Sequence, residues 1–256
     1  LDDTSGAIIY LTNYLEKNPY CEVAWHQLGK QYNKTNEMLK AVTAFDFAII
    51  SDETFVGAYL EKAKVLENLN RFGEAIENYK ITLAIENSNP FALIKIGYCF
   101  ERLDKLELAL KHYLKSVEED PALDEGWMRI TRLFYSKKKY SKALYYINKA
   151  IKIDSENSSY WKLYSNINER LNKLEEAELG YKKILELGDI ELNIWLSRGD
   201  ILIKLHEYEA AYFNFSQALE YHPNNEELEF RLSGVCLKLN NSEAGYAHLL
   251  TALHIN

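Results

Sequence analysis

The residues that could carry out chemistry are scattered along this 256-residue sequence and form no recognisable motif. The six histidines give no H-E-x-x-H pair or other metal-ligand spacing, and no G-x-S-x-G, glycine-rich phosphate loop or dinucleotide fingerprint occurs. Adjacent carboxylates such as Glu118 and Glu119 are what a solvated helix surface normally carries. The sequence therefore predicts no catalytic residue, no cofactor site and no metal site, and we expect a protein that is not an enzyme.

The three cysteines, Cys21, Cys99 and Cys236, are far apart and include no C-x-x-C pair. An odd number with this spacing fits neither a disulfide framework nor a zinc site, which favours a reducing, cytoplasmic location. The N-terminal residues show no basic region ahead of an apolar run, but an export signal would be lost with any upstream sequence.

The net charge of −8 opposes binding to phosphate-rich partners, because the field of an acidic molecule repels them. No apolar run approaches the roughly 20 residues that a membrane-spanning helix needs. We therefore expect neither nucleic-acid binding nor direct membrane insertion.

Helices are the elements that must position any functional side chain. The stretch Pro90–Leu123 splits into two amphipathic runs around Leu103-Asp104-Lys105, and the first run has apolar or small residues at the spacing of one helical face. Asp120-Pro121 ends the second run, since proline lacks a backbone donor and disfavours helix in the residue before it. The stretch therefore predicts a helix, a short turn and a second helix.

Shifting the sequence by 34 residues aligns it with itself without insertions. Two closely crossing helices require small residues where they approach and large residues beside them. One aligned column holds mostly large residues: Trp25, Tyr59, Leu93, Trp127, Trp161 and Trp195. A second column holds mostly small residues: Gly29, Ala63, Gly97, Thr131, Ser165, Gly199 and Ser233. The turn column is rich in residues that tolerate a left-handed backbone: Asn36, Asn70, Asp104, Asn172 and Asn240.

The pattern W-x-x-L-G-x-x-Y at Trp25–Tyr32, followed by Ala41, Phe45 and Ala48, resembles the tetratricopeptide repeat, whose period is also 34 residues. Pro121 and Pro223 match the closing proline of that repeat. The resemblance implies an all-α fold, a right-handed superhelical solenoid of antiparallel helix pairs. Pentatricopeptide, HEAT and armadillo units have longer periods and are disfavoured.

We expect one array over residues 1–256, with a partial repeat at 1–21 and a near-complete repeat at 226–256. The full repeats are predicted at 22–55, 56–89, 90–123, 124–157, 158–191 and 192–225. The partial repeat lacks its first helix, so Ile8, Leu11 and Leu15 are expected to be partly uncovered. Either the chain is a segment of a longer protein, or its ends pack against another copy in a homo-oligomer.

The resemblance implies that the first helix of each repeat lines the concave side, so binding residues should be first-helix residues that point away from the core. Arg129 belongs to this outward set. The residues that we expect to contact a partner combine cations, aromatic rings and a flexible methionine, and are Lys30, Lys64, Ile94, Tyr98, Arg102, Met128, Arg132, Tyr135, Lys162, Asn166 and Arg231. Such a mixture suits an extended acidic or amphipathic peptide.

One subgroup of the family grips the acidic C-terminus of chaperones with a carboxylate clamp, and Lys162, Asn166 and Arg231 match three of its positions. Ser197 stands where the clamp has an asparagine, and Glu227 stands where it has a lysine. The carboxylate of Glu227 would repel the acidic ligand. A full clamp is therefore not expected.

Three functional hypotheses remain open. The leading one is a protein-interaction scaffold that binds a peptide or a folded partner in its concave groove. The second is a regulatory or substrate-recruiting array of a larger enzyme or membrane-associated protein. The third, which the charge and the lack of base-reading side chains disfavour, is single-stranded RNA binding.

Overall fold

The structure is a computed structural model that describes residues 4–255; residues 1–3 and 256, the outer ends of the first and last predicted repeats, lie outside the described part. The described residues form fifteen α-helices and contain no strand, which confirms the all-α prediction. The helices are α1 (Thr4–Lys17), α2 (Glu22–Lys34), α3 (Met38–Ser51), α4 (Val56–Asn68), α5 (Phe72–Glu86), α6 (Pro90–Arg102), α7 (Leu106–Glu119), α8 (Asp124–Ser136), α9 (Tyr140–Ile153), α10 (Ser158–Arg170), α11 (Leu174–Glu186), α12 (Leu192–Lys204), α13 (Tyr208–Tyr221), α14 (Glu226–Lys238) and α15 (Ser242–Ile255).

The chain divides into two compact halves, residues 1–129 and 130–256. In the N-terminal half, α2 packs on α3, α4 on α5 and α6 on α7. In the C-terminal half the pairs are α10 with α11, α12 with α13 and α14 with α15. Each second helix also contacts the first helix of the next pair within its half, as α3 does with α4 and α11 does with α12.

The turn inside each of these helix pairs contains one residue with a left-handed backbone. The prediction for the five Asn and Asp positions is confirmed, because each has a φ between 57° and 62°. Lys138 and His206 adopt the same conformation, with φ of 56° and 62°; histidine tolerates it better than most residues, but lysine has no preference for it. The packing of the flanking helices therefore sets the turn geometry at Lys138.

The two helices of a pair approach closely where a glycine faces an aromatic ring. A Cβ added to Gly97 would lie 2.5 Å from the ring of Tyr113, and one added to Gly29 would lie 2.6 Å from the ring of Phe45. In the C-terminal half, Gly199 meets Phe215 in the same way. The predicted alternation of small and large residues is confirmed at these contacts.

The buried tyrosines in this position also bind back to the first helix of their pair through their hydroxyl groups. The hydroxyl of Tyr113 donates a hydrogen bond to Glu101 over 2.8 Å. The same bond joins Tyr79 to Glu67 (2.7 Å) and Tyr181 to Glu169 (2.6 Å). The two helices of such a pair are therefore joined twice, by the packing of the buried ring and by the hydrogen bond from its hydroxyl group to a half-buried carboxylate.

Helix α1 is better covered than its position in a partial repeat suggested. Leu15 is only 4% exposed, because it packs with Ala24, Leu28 and Ala44 of the following helix pair. Ile8 and Leu11 are partly buried, as expected. The expectation for Leu15 was wrong because the next helix pair alone buries this residue.

The surroundings of the glycines predict that glycine-to-alanine substitution has opposite effects on the free energy of unfolding at two sites. Gly97→Ala should destabilise the protein by about 1–2 kcal/mol, because the ring of Tyr113 is fully buried and cannot move aside freely. Gly234→Ala, in the middle of α14 with open space around it, should stabilise by up to about 1 kcal/mol. Urea unfolding followed by circular dichroism measures both. An equal gain in stability from the two variants would contradict the close-packing interpretation.

The tyrosine–glutamate contact predicts a strong coupling between its partners. Glu101→Leu leaves the hydroxyl of Tyr113 without its acceptor and should cost about 1–3 kcal/mol. The double variant Glu101→Leu/Tyr113→Phe should be more stable than the single Glu101→Leu variant, since Phe215 and Ile203 form the corresponding apolar pair naturally. Additive losses in a double-mutant cycle would contradict this.

Candidate functional site

The N-terminal half brings three of the predicted binding residues, Lys64, Tyr98 and Arg102, into one cluster on its first helices. Ile94, another predicted binding residue of this half, was predicted wrongly as accessible, because it is fully buried. A Cβ at Gly126 would lie 3.8 Å from Ile94 Cδ1, so α8 approaches α6 closely enough to cover this side chain.

We call the cluster the aromatic–cation patch. Four of its members follow one another along a single face of α6, at intervals of four, three and four residues. The patch consists of Lys64 on α4, Phe72 on α5, Phe91, Lys95, Tyr98 and Arg102 on α6, and Arg129 on α8.

Phe91 provides the first ring of the patch and is 37% exposed. The Nζ atom of Lys64 lies 5.6 Å from the centre of this ring, and that of Lys95 lies 5.5 Å from it. Two ammonium groups from neighbouring first helices therefore share one aromatic ring, at distances where the ring quadrupole attracts a cation.

Tyr98 provides the second ring and has three cations around it. Arg129 Cζ is 5.0 Å from the ring centre, and Lys95 Nζ and Arg102 Cζ are each 5.9 Å from it. Arg102 also donates a hydrogen bond of 3.0 Å to the hydroxyl of Tyr98, and its Cζ lies 4.9 Å from the ring of Phe72. These contacts hold the guanidinium of Arg102 between two rings.

Carboxylates of the same half neutralise three of the four cations. Lys64 pairs with Glu61 at 2.7 Å, and Arg129 pairs with Glu125 at 3.2 Å. Lys95 lies 3.8 Å from Glu67. Within residues 4–255, Arg102 has no carboxylate within 4.0 Å. It is therefore the patch cation whose charge no described carboxylate neutralises.

Glu67 connects the patch to the core. Besides approaching Lys95, it accepts the hydrogen bond from Tyr79 and a weak contact of 3.8 Å from Cys99 Sγ. Burial, with the charge of Glu67, raises the pKa of Tyr79 and raises the pKa of Cys99 to about 12. Cys99 is thus a neutral thiol at physiological pH and not a nucleophile.

Sequence reasoning missed Phe91 and Lys95. Lys95 lies one position and Phe91 three positions from Ile94, the nearest residue that was assigned to the outward face. The signal was present in the even spacing of Phe91, Lys95, Tyr98 and Arg102, which places two rings and two cations alternately on one side of α6.

In the C-terminal half, the residues that match a carboxylate clamp already have partners. Lys162 pairs with Glu191 at 2.9 Å, and Asn166 Oδ1 lies 3.0 Å from the Tyr181 hydroxyl. Arg231 forms ion pairs with Glu227 and Asp200. An anionic ligand would have to displace these groups.

The other predicted residues differ in their exposure. Lys30 and Arg132 are exposed. Tyr135 is partly buried, with its ring centre 5.5 Å from that of Tyr140. Met128 was predicted wrongly as an accessible residue: it is 7% exposed, because it occupies the same repeat position as the buried Ile94, on the side of a first helix that faces its neighbours.

Metal-binding clusters and membrane-spanning helices are both absent from the described part of the chain. No group of three or more histidine, cysteine, aspartate or glutamate side chains there could hold a metal ion. No helix among residues 4–255 combines the length and the apolar character needed to cross a bilayer.

Three family models described as "Tetratricopeptide repeat" match residues 60–124, 115–207 and 192–225, which together form a continuous stretch. The chain is a tetratricopeptide repeat protein. Such repeats generally form protein-interaction scaffolds, and the helix pairs described above are repeats of this kind.

Solved structures of similar fold are also tetratricopeptide proteins. The C-terminal part of a repeat protein from Cytophaga hutchinsonii superposes with a TM-score of 0.70 at 15% identity, over 90% of this chain and 96% of that one. YrrB, described as having an unusual peptide-binding site, gives a TM-score of 0.56 at 16% identity, over 72% of this chain and 94% of that one. At these identities the likeness shows the fold alone.

A curated relative is the general transcriptional corepressor ssn6 of Schizosaccharomyces pombe, which is 26% identical over 115 residues. The match covers 44% of this chain and 10% of the relative. This tetratricopeptide chain thus matches only a small part of that protein.

The Arg231 cluster predicts a pH-dependent loss of stability. Burial raises the pKa of Asp200, and Arg231 opposes that rise. A carboxyl with a raised pKa binds its proton more tightly when folded, so ionised Asp200 weakens the fold at neutral pH and this penalty fades as the pH falls through its folded-state pKa.

Arg231→Met should therefore destabilise the protein by about 1 kcal/mol at neutral pH and by less in acid. Unfolding curves at several pH values measure the difference. Lys238→Met is the control, because it removes an exposed charge from the same helix without touching the cluster. A pH-independent loss in Arg231→Met would contradict the role given to Asp200.

Proposed function

We propose that this tetratricopeptide chain is a protein-interaction scaffold whose aromatic–cation patch binds an acidic or amphipathic peptide segment. The observation that carries the proposal is the state of Arg102, an exposed guanidinium held between Tyr98 and Phe72 with no carboxylate partner among the described residues. A carboxylate of the partner would complete the charge pairing at this point.

The surroundings of Arg102 support a peptide that combines an acid with an apolar side chain. The contacts to two rings and to one hydroxyl restrict the guanidinium before binding, so less side-chain entropy is lost when an anion pairs with it. The exposed part of Phe91 offers an apolar surface on the same face of α6.

The same patch argues for binding over catalysis. Its cations are paired or held against rings, and the nearby thiol of Cys99 is kept neutral by burial. A nucleophile with an adjacent base, which acyl or phosphoryl transfer would require, is not formed by the residues of the patch. We therefore assign it recognition and no reaction.

The test compares two charge reversals that alter the net charge equally. The probes are a short fluorescent peptide containing glutamate and leucine, and its glutamine counterpart. Arg102→Glu should weaken binding of the glutamate peptide about tenfold or more, as expected for loss of one charge-assisted hydrogen bond. Fluorescence anisotropy at low and moderate salt measures the affinity.

Lys105→Glu is the matched control, because Lys105 is exposed, precedes α7 and lies outside the patch. It should leave the affinity nearly unchanged. Equal weakening by both reversals would show that only the overall charge matters, and tight binding of the glutamine peptide would remove the role of the acid. Either result contradicts the assignment of the patch.

A second candidate is a recruiting array within a larger protein. The curated relative is a transcriptional corepressor in which the matched residues make up only a tenth of the length. In that case the patch would engage a folded subunit, and the isolated acidic peptide would bind weakly while Arg102→Glu still abolished capture of the full partner.

A further inference from the structure

We propose that a second site, between α1, α2 and α3, binds an aromatic side chain that a partner polypeptide presents. The site is an open cavity of about 520 Å³ in the N-terminal half. Its lining is mainly apolar and includes Leu15, Trp25, Leu28, Tyr32, Leu39 and Ala44. It lies on different elements from the aromatic–cation patch and does not depend on the function proposed for that patch.

Two other repeats of the chain place a second ring in the corresponding space. Two and three periods after Tyr32 stand Phe100 and Phe134, and each of these rings has a second ring against it. Phe134 stacks on Tyr146 with centroids 5.3 Å apart and planes 1° from parallel, and Phe100 stacks on His112 at 5.4 Å and 24°.

The residue that corresponds to Tyr146 and His112 is Ala44. Tyr32 therefore has the neighbouring position for a stacking ring, but the chain supplies only a methyl group there. Both residues line the cavity, so the empty space lies where the second ring is found in the other two repeats. A planar ring is the shape that this space accepts.

A lysine–ring contact is also common to the repeat that contains Tyr32 and the repeat that contains Phe134. The Nζ atom of Lys40 lies 5.4 Å from the ring centre of Tyr32, and that of Lys142, three periods later, lies 5.6 Å from the ring centre of Phe134. In the later repeat the lysine and two rings form one cluster. In the earlier repeat the lysine and the first ring are in place, and an incoming ring would complete the cluster.

In the next repeat, the corresponding region contains an ion pair. There Lys62 of α4 forms an ion pair with Asp46 of α3, with the lysine side chain only 19% exposed. The residues at the equivalent positions of the cavity are Leu28 and Thr12, which cannot pair in this way. These two positions of the lining therefore carry no charge, and the charged residues of the lining are Glu16 and Lys40.

The exposed rim indicates a polypeptide as the source of the ring. Leu39 is 67% exposed beside the cavity, and the adjoining Thr12 and Thr43 are exposed as well. A backbone crossing this rim can cover Leu39 while its aromatic side chain enters the cavity. A free aromatic molecule would leave Leu39 in water.

The experiment uses short capped peptides of alanine and serine with one central tryptophan, tyrosine, phenylalanine or cyclohexylalanine. Saturation-transfer NMR on the full chain suits the weak affinity expected for one side chain, a dissociation constant on the order of 0.1–1 mM. The aromatic peptides should bind, and the cyclohexylalanine peptide should bind several-fold less well. Free p-cresol serves as the small-molecule probe.

Ala44→Tyr introduces a tyrosine ring at the repeat position that Tyr146 occupies three periods later. This ring should fill the cavity and reduce peptide binding about tenfold or more. Leu39→Glu, at an exposed site, should weaken binding without affecting folding, whereas Ile50→Glu on the same helix, 69% exposed and outside the lining, should not. If Ala44→Tyr does not fold, the comparison of Leu39→Glu with Ile50→Glu decides.

Three results would overturn the proposal. Unchanged binding in a folded Ala44→Tyr variant would remove the site, and equal affinity for cyclohexylalanine would remove the need for an aromatic ring. Binding of p-cresol as tight as that of the peptides would assign the cavity to a small molecule. Concentration-dependent self-association that disappears in Ala44→Tyr would assign it to a second copy of the chain, and so would also contradict a partner polypeptide.

Discussion

The structure depends on the contact in which an aromatic ring of a second helix occupies the space of a missing side chain on the first. Gly97 and Tyr113 show it most clearly, since any Cβ at the glycine would overlap the ring. This contact also reaches the surface. The hydroxyl of Tyr79 binds Glu67, Glu67 approaches Lys95, and Lys95 lies over the rings of the aromatic–cation patch. The packing that forms each helix pair thereby positions the groups available for binding.

The same contact tolerates exchange as long as the two helices share the volume. Ser165 stands where other repeats have glycine, and a Cβ added to Gly180 on the second helix would overlap the serine hydroxyl oxygen. Tyr181 still supplies the ring at the position of Tyr113, so the extra bulk of Ser165 is accommodated by the missing side chain of Gly180, one residue before that ring. Ala44, at the position of His112 and Tyr146, carries only a methyl group, and it lines a cavity. Differences between repeats, rather than their shared pattern, therefore mark the places where this chain can bind something.

Features that depend on neighbours close in sequence were predictable, and features that depend on adjacent repeats were not. The left-handed turn at Asp104 follows from its own side chain, but Lys138 adopts it only because the flanking helices require it. The outward position of Tyr98 follows from helical spacing. The burial of Ile94 follows from the approach of α8, which the spacing within one repeat does not contain. The pairing of Lys162 with Glu191 is likewise a contact to the next helix pair.

The patch is cationic within an acidic chain, and its own carboxylates would make the proposed binding selective. Glu61 pairs with Lys64 and Glu125 pairs with Arg129. A polypeptide that carries acidic groups without a specific arrangement would therefore gain little binding energy, because its carboxylates would only replace these ion pairs. The overall negative charge adds repulsion at longer range. A segment that places one carboxylate on Arg102 and an apolar side chain on Phe91 avoids both penalties, because it pairs the unneutralised cation and covers an exposed ring. Recognition of this kind favours a particular arrangement of groups over a high density of negative charge.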